Sequence, residues 1–158
     1  MRSDKLTSKF QMALAEAQSM AIGRDHQFIE PVHVMLALLE QQGGAARPLL
    51  TKAGVNINAL RSHLGEALDR LPSVEGGNAG DLHISNDLGR LFNVTDKLSQ
   101  ERKDQYISSE LFVLAAMEDK GNVGEALRKS GAVKGAIEKA IDELRGGEQV
   151  NDPNAEET

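Results

Sequence analysis

The sequence predicts an all-α domain of about eight helices, built as two tandem four-helix repeats. The 158 residues include four Phe, one Tyr and no Trp, so any core must be aliphatic. Leu, Met and Ala mixed with Glu, Lys, Gln and Arg favour helix. Apolar residues recur at helical spacing, and the same pattern of apolar and turn residues occurs twice at an offset of 78 positions.

Four helices are expected in the first repeat. Thr7 is expected to cap the first helix, which ends at Gly23. Pro31 suits the first turn of the second helix, where its missing N–H has no partner to lose. The pair Gly43-Gly44 then ends this helix. The third and fourth helices are predicted over Ala45–Ala53 and Asn56–Leu71.

The second repeat follows a Gly-rich segment without periodicity, Ser73–Gly80, which is predicted to be a linker. Ser85 is expected to cap the fifth helix, and Ser108-Ser109 the sixth. Gly121 ends the sixth helix and Gly131 the seventh. The last helix is predicted over Val133–Leu144.

Equivalent positions of the two repeats match in character. Phe28 meets Tyr106 at the offset of 78, and after a one-residue deletion Gly54 meets Gly131. One such unit is too small for a good core, so we expect the halves to pack as one pseudo-twofold domain. The predicted boundaries are 1–145 for the domain, about 1–72 for repeat one and about 84–145 for repeat two.

The tail, residues 146–158, differs from the rest of the chain. It is acidic, contains Gly and Pro, and has almost nothing to bury. Such a composition is typical of a flexible linker. A folded domain followed by a bare linker suggests a piece of a longer protein.

Composition argues against several classes of function. The net charge of −6 argues against nucleic acid, which requires a basic stripe. The absence of Cys excludes disulfides and thiolate chemistry, and fits a reducing cytoplasm. No apolar run approaches the roughly 20 residues that span a bilayer. We therefore expect a cytoplasmic domain that binds neither nucleic acid nor membrane.

The motifs of catalysis and metal binding are missing from the sequence. His26, His33, His63 and His83 have no metal-ligand spacing and are expected at the surface. Neither a G-x-x-x-x-G-K-[ST] phosphate loop nor a G-x-S-x-G motif occurs. We expect no catalytic residue, metal or cofactor in this chain.

Differences between the repeats point to a binding surface. Val94 stands where the first repeat has Glu16, and Leu111 stands where it has His33. Val94 and Leu98 are four residues apart and share one helical face. We predict that Val94, Leu98 and Leu111 form a partly exposed apolar groove, because such patches mark interaction sites. The alternative is that the second repeat packs differently and these side chains face the first repeat.

Several segments carry a resemblance to a known family. They are Lys5–Gln11, Gln27–His33, Tyr106–Ala115 and the pair Gly146-Gly147. Together with the tandem repeats, they resemble the Clp N-terminal domain family, and within it the bacterial ClpB type of disaggregase. The resemblance covers essentially the whole chain.

This resemblance implies a mobile domain joined by residues 146–158 to two AAA+ ATPase rings in a homohexamer. ATP and Mg would be bound in those missing domains. The domain would capture unfolded or aggregated polypeptide, which the rings thread in cooperation with a DnaK-type chaperone. By itself the domain is expected to be a monomer.

The resemblance also implies polar binding residues at Thr7, Asp104 and Glu110, each carried over on its local motif. The residues alone suggest simpler roles: Thr7 is a natural helix cap, Asp104 a loop acid and Glu110 a favourable acid in a first helical turn. Because Glu110 adjoins Leu111, the resemblance implies an acidic rim beside the apolar groove. Such a site would favour segments that mix apolar and basic residues.

Two other interpretations stay open at this point. A ClpA- or ClpC-type N-domain would have the same fold but would dock a dedicated adaptor protein. An unrelated small helical enzyme or ligand-binding domain would be supported by a deep pocket that holds perturbed titratable groups.

Overall fold

Eight α-helices make up most of the structure, a computed structural model that describes residues 1–74 and 82–157. Two-residue strands and single 3₁₀ turns accompany them. The helices among the described residues are α1 (Ser8–Gly23), α2 (Pro31–Glu40), α3 (Ala46–Lys52), α4 (Ile57–Asp69), α5 (Asn86–Glu101), α6 (Ser109–Ala116), α7 (Asn122–Lys129) and α8 (Lys134–Arg145). The strands are β1 (Phe28–Ile29) and β2 (His83–Ile84), and the 3₁₀ turns are Ser3–Lys5 and Ala155–Glu157. The predicted all-α fold is confirmed, whereas the strands were not predicted.

Local sequence signals place several helix starts. The Thr7 side chain accepts a hydrogen bond from the backbone N–H of Phe10, and the Ser85 side chain accepts one from Leu88. Both residues therefore cap their helices as predicted, by satisfying a donor that the helix leaves free. Ser108 precedes α6 but makes no such bond through its side chain. The N–H group at the start of α6 instead donates its hydrogen bond to a residue distant in the sequence.

The helices α2 and α6 form the centre of the fold. Residues 31–39 and 109–116 are all buried, because an almost continuous apolar run has no polar face to turn to water. One hydrophobic core extends through both repeats. The Phe112 ring lies 5.9 Å from that of Phe10 and 6.0 Å from that of Phe92, so aromatic side chains of both repeats meet there.

The pseudo-twofold relationship is visible in the backbone pairing. Leu6 pairs with Ile107 in parallel register, and Ile84 pairs with Ile29 in the same way. Leu6 and Ile84 are 78 residues apart in the sequence, and so are Ile29 and Ile107. In each pair, the segment that precedes the first helix of one repeat lies beside the segment that precedes the second helix of the other. The two repeats are therefore joined by reciprocal backbone hydrogen bonds.

Backbone φ angles that are positive occur at equivalent positions of the two repeats. Asp25 and Lys103 are the described non-Gly residues with positive φ, at 58° and 60°. Gly54 and Gly131 have φ of 85° and 94° and follow equivalent helices. L side chains rarely adopt this region, so the matched angles support the alignment of the repeats, including its one-residue deletion.

Packing between the repeats is also reciprocal. Helix α3 packs against α8, and its counterpart α7 packs against α4. Across the same interface α2 contacts α7, and α6 contacts α3. The expectation that the halves share one core is confirmed by this arrangement.

The segment between the repeats was predicted to be a linker over Ser73–Gly80. Most of it, residues 75–80, lies outside the described residues, as does residue 81. Ser73 pairs with His26, and the N–H of Val74 donates to the Asp25 carbonyl oxygen at 2.8 Å. The start of the predicted linker is therefore part of the folded structure.

Candidate functional site

The polar residues Thr7, Asp104 and Glu110 lie around one end of α6. Thr7 precedes α1, Asp104 lies in the loop before α6, and Glu110 lies in the first turn of α6. The bridge between Leu6 and Ile107 brings the start of α1 to this loop. All three predicted polar residues are buried, so they belong to an internal network rather than to an open acidic rim.

Arg145, at the end of α8, is the cation of this network. Its Nε donates to Glu110 Oε1 at 3.2 Å, and its Nη2 donates to Ser108 Oγ at 3.1 Å. Its Nη1 lies 3.2 Å from Oδ1 and 3.0 Å from Oδ2 of Asp104. The Arg145 side chain is only 9% exposed. Both predicted carboxylates are therefore engaged inside the domain, and the expectation of a free acidic rim is wrong.

Glu156, in the tail, connects the start of α1 to the start of α6 through its carboxylate. Its Oε2 accepts a 2.5 Å hydrogen bond from Thr7 Oγ1. Its Oε1 accepts from the Ser109 N–H at 2.7 Å and from Ser109 Oγ at 2.5 Å. We call these three donors the carboxylate seat. The carboxylate caps α6 from outside the helix, which is favourable because helix N-termini attract negative charge.

The tail reaches this position along a defined path. The Val150 carbonyl oxygen accepts from the N–H groups of Gln105 and Tyr106, and the Val150 N–H donates to Asp104 Oδ1 at 3.0 Å. Further on, the Ser8 N–H donates to the Pro153 carbonyl oxygen at 2.8 Å. The prediction of a tail with almost nothing to bury is wrong, because the side chains of Val150 and Glu156 are buried.

Internal symmetry explains part of this tail. Val150 corresponds to Ser73 at the offset of 77, and both residues pair with the loop that precedes the second helix of their own repeat. Extending the repeat alignment past residue 145 makes Val150 equivalent to Ser73, but the contact itself is visible only in the structure. The pairing of Glu156 has no sequence signal, because its partners lie 47 and 149 residues away.

Charge balance within the network is uneven. The single guanidinium of Arg145 contacts the carboxyl groups of Asp104 and Glu110, and a third carboxyl group, that of Glu156, acts electrostatically on Glu110. Burial raises the pKa of Glu110; Arg145 and the Ser108 hydroxyl lower it, while the charge of Glu156 raises it further. Removal of water dominates here, because a buried charge loses its hydration.

A cavity of about 460 Å³ opens beside the network. The loop 43–45 and Pro48 form one wall, and the end of α8 with the tail forms the other. Glu110, Arg145 and Glu156 contribute to the lining. The size is within the range of small-ligand pockets, although most of its charged groups already have partners inside the domain.

The predicted apolar groove is corrected at one position. Leu111 is fully buried, because α6 is covered on all sides by other helices, so it cannot form an exposed wall. Its counterpart His33 is also fully buried. Val94 and Leu98 are half-buried on α5, and Leu98 packs against the core. Val94 and Leu98 stay a prediction for polypeptide binding.

Exposed apolar side chains that the sequence did not single out lie near the short sheet. Phe28 is 41% exposed, Val74 41% and Ile84 50%. Phe28 and Val74 line one small cavity, and Ile84 pairs with the neighbour of Phe28 in the sheet. Phe28 and Val74 therefore expose apolar surface at the same small cavity, whereas Ile84 exposes its side chain separately, on the strand that joins the two repeats.

Two of the histidines are not at the surface, contrary to the expectation. His33 is fully buried and His26 is 9% exposed. The Glu30 N–H donates to His33 Nδ1 at 2.8 Å, which leaves the His33 proton on Nε2. That Nε2–H then donates to His26 Nδ1, also at 2.8 Å. Protonation of His33 at Nδ1 would place a second N–H group opposite the Glu30 N–H. Protonation of His26 at Nδ1 would place an N–H group opposite the Nε2–H of His33.

The pKa values of this pair follow from that geometry. Burial, together with the charges of His26 and Arg24, lowers the pKa of His33 to about 4. Burial and Arg24 lower the pKa of His26, against smaller opposite effects of Asp25 and Glu30. The pair is therefore neutral at pH 7 and stabilises the start of α2.

Residues 1–74 and 82–157 also lack two features. Over these ranges, no helix is both long and apolar enough to cross a membrane. Within the same part of the chain, no group of three His, Asp or Glu side chains is arranged to hold a metal ion.

Comparison with known proteins decides the family. The model of the Clp repeat (R) N-terminal domain matches residues 5–130. The chain belongs to the Clp repeat N-terminal domain family. The resemblance inferred from the segments around Thr7, Phe28 and Tyr106 is thereby confirmed.

Relatives of this Clp N-domain include chaperones. It is 57% identical over 157 residues to the chaperone protein ClpB of Vibrio cholerae, with 99% of this chain covered. It is 52% identical over 158 residues to the chaperone protein ClpB of Pseudomonas putida, with all of this chain covered. The chain spans about 18% of the length of either relative.

Solved structures share the fold at low sequence identity. The Hsp104 N-terminal domain from Candida albicans superposes with a TM-score of 0.84 at 20% identity, covering 96% of this chain and 99% of that one. A ClpV N-domain in complex with a VipB peptide superposes with a TM-score of 0.70 at 19% identity, covering 91% and 89%. Both comparisons support the two-repeat Clp N-domain architecture.

Proposed function

We propose that this Clp N-domain is the substrate-engaging module of an ATP-dependent protein disaggregase. It would weakly bind unfolded or aggregated polypeptide and pass it to an AAA+ ring. The observation that carries the proposal is the 57% identity to a chaperone protein ClpB across 99% of the chain. The half-buried apolar side chains of Val94 and Leu98 on α5 are suited to binding unfolded chains.

The remaining parts of the machine would lie outside this chain. ATP and Mg would be bound by the AAA+ domains, a DnaK-type chaperone would cooperate with them, and the assembly would be a cytoplasmic homohexamer. The isolated domain would be a monomer without catalytic activity.

Weak binding by a single domain fits this role. Burial of the Val94 and Leu98 side chains would contribute about 3–6 kcal/mol at most, and association costs about 4 kcal/mol or more. The net is at most about 2 kcal/mol, a Kd of tens of millimolar or weaker for these two side chains alone, so binding at about millimolar client requires further contacts on the same surface. Several linked domains in one assembly would raise the avidity without new contacts, while each contact would still release its client.

Docking of a dedicated adaptor is the second candidate. The ClpV N-domain, which shares the fold, has been solved with a VipB peptide bound. A domain of this architecture can thus recognise one particular partner segment. Specific binding of one segment, without binding of generic unfolded protein, would favour this alternative.

The test is a titration of the isotope-labelled chain with a permanently unfolded protein, followed by backbone amide shifts. We expect shifts centred on Val94 and Leu98. Val94→Ser should abolish them without unfolding the domain, because Val94 is half-buried and does not belong to the hydrophobic core. Val133→Ser is the matched control, since Val133 is 61% exposed at the start of α8. No shifts at about millimolar client would contradict capture and favour adaptor docking.

A further inference from the structure

The carboxylate seat joins Thr7 of the first repeat to Ser109 of the second, and it exists at only one of the two symmetry-related junctions between the repeats. Ser109 opens α6 and contributes both its N–H and its hydroxyl to Glu156. The equivalent first residue of α2 is Pro31, which has neither group. Ser85 stands in the place of Thr7 and caps α5 in the same way. The residue at the first position of the second helix, Ser109 or Pro31, thus separates the junction with a complete seat from the junction without one.

The seat is a preformed arrangement of buried donors. Thr7 and Ser109 are both fully buried, and their two hydroxyls and one N–H point at a single carboxylate. Hydrogen bonds to a charged acceptor are about twice as strong as neutral ones. Buried hydroxyls without a partner would be unfavourable, so the seat favours an occupant that carries a carboxylate.

The tail that fills the seat is held mainly at its two ends. Val150 is anchored by the α5–α6 loop, and Glu156 lies in the seat. Between them Asn151, Asp152 and Asn154 are exposed. The Ser8 N–H and hydroxyl bind Pro153 and Asn154 in this stretch, and Asp152 accepts hydrogen bonds from the N–H groups of Asn154 and Ala155. A competitor for the seat therefore has to displace only one buried side chain.

We propose that the seat is a binding site for an acidic side chain of a bound polypeptide, and that the chain's own tail occupies it when no partner is present. The occupant is an acidic peptide that turns at the seat, because the tail that fills the seat here carries Asp152 and Glu156 and reaches the seat through the 3₁₀ turn Ala155–Glu157. In this arrangement Glu156 competes with the partner and lowers its apparent affinity. The proposal deepens the proposed function and rests on it for the identity of the partner.

The experiment uses the full 158-residue chain and two labelled peptides. One peptide has the sequence of residues 151–157, and the other carries Gln in place of Glu156. Binding is measured by fluorescence anisotropy to the unmodified chain, to Glu156→Ala and to Glu143→Gln. Glu143 is exposed on α8, so its variant is the control for the loss of one negative charge.

We expect the acidic peptide to bind Glu156→Ala about tenfold more tightly than the unmodified chain. The reason is that this variant no longer has the Glu156 carboxylate, whose charged hydrogen bonds compete with the peptide for the seat. The Gln peptide should bind Glu156→Ala about tenfold more weakly than the acidic peptide. Glu143→Gln should behave like the unmodified chain. Equal binding of the acidic peptide to the unmodified chain and Glu156→Ala, or equal binding of the two peptides, would overturn the proposal.

Ser109→Pro provides a second, independent variant. Proline is favourable at the first position of a helix, and Ser108 already has the extended backbone that a following proline requires. This variant should keep α6 but lose the seat. It should release the tail, seen as faster exchange of the Ser8 amide, and should not bind the acidic peptide. Protection of Ser8 equal to that of the unmodified chain would contradict the proposal.

The same variants separate this proposal from the proposed function. If unfolded protein binds the unmodified chain and Glu156→Ala equally well, the seat plays no part in capture and the proposal fails, while capture stands. If the acidic peptide gives the expected contrasts but unfolded protein binds neither chain, the seat stands and general capture fails.

Discussion

Thr7 and Glu156 are 149 residues apart in the sequence, and Thr7 Oγ1 donates to Glu156 Oε2 at 2.5 Å. The same Thr7 oxygen accepts the N–H of Phe10 at 3.3 Å. One fully buried hydroxyl therefore caps α1 and binds the tail. A role in binding, which the family resemblance implied for Thr7, would be exercised through the tail rather than by direct exposure.

Replacement of Thr7 by Val should lower the free energy of unfolding by about 1–3 kcal/mol. Val has nearly the same shape, but it leaves the Phe10 N–H and one oxygen of Glu156 without a partner. Urea denaturation measures the loss. Thr7→Ser keeps the hydroxyl and should lose clearly less. Equal stability of the two variants would show that the hydroxyl does not hold the tail in place.

Replacement of Arg145 by Met should be more damaging. Met fills similar space but leaves the buried carboxylates of Asp104 and Glu110 without a cation, which typically costs about 3–5 kcal/mol. The free energy of unfolding from chemical denaturation is the measurement. Adding Glu110→Gln should recover part of the loss, because it removes one of the two unpaired charges. A loss below about 1 kcal/mol for Arg145→Met would indicate that water replaces the guanidinium.

Local features of the fold could be predicted from the sequence, whereas features of the site that depend on distant residues could not. The caps Thr7 and Ser85 were found because each acts on a backbone N–H three residues away. Leu111 was misjudged because helices distant in sequence cover α6. The partners of Arg145 lie 35–41 residues away, and no periodicity encodes such contacts.

Acidification should destabilise the domain through His33. Its pKa falls from 6.5 to about 4 on folding, so the unfolded chain binds more protons between these values. The stabilising contribution is complete above pH 6.5 and is lost as the pH falls toward 4. The whole shift corresponds to about 3 kcal/mol. The free energy of unfolding, measured from pH 7 to pH 4, should show this slope.

His33→Gln isolates the effect. Gln can accept from the Glu30 N–H and donate to His26, but it does not titrate. The difference in stability between the unmodified chain and His33→Gln should therefore shrink as the pH falls. This difference cancels the contribution of Glu110, whose raised pKa acts in the opposite direction. His83→Gln, at an exposed histidine, is the control. A difference independent of pH would contradict the assigned geometry.

Glycine at position 124 is required by the turn that precedes α7. The Gly124 N–H donates to Asp119 Oδ2 at 3.0 Å, and a Cβ at this position would lie 1.9 Å from the Asp119 carbonyl oxygen. Because that atom belongs to the backbone, the turn itself would have to move. Gly124→Ala should therefore lower the free energy of unfolding by about 2 kcal/mol or more.

Gly135→Ala is the matched control for this substitution. Gly135 is exposed in α8, and a Cβ there would have no atom within 4 Å. Alanine is the better helix former by about 0.8–1.0 kcal/mol, so this variant should raise the melting temperature while Gly124→Ala lowers it. Thermal unfolding of the two variants side by side decides the point. The two substitutions should change the melting temperature in opposite directions. A rise at both positions would mean that the Asp119 backbone can move away from a Cβ at position 124 without loss of stability, so that the turn is not fixed by its contact with α7.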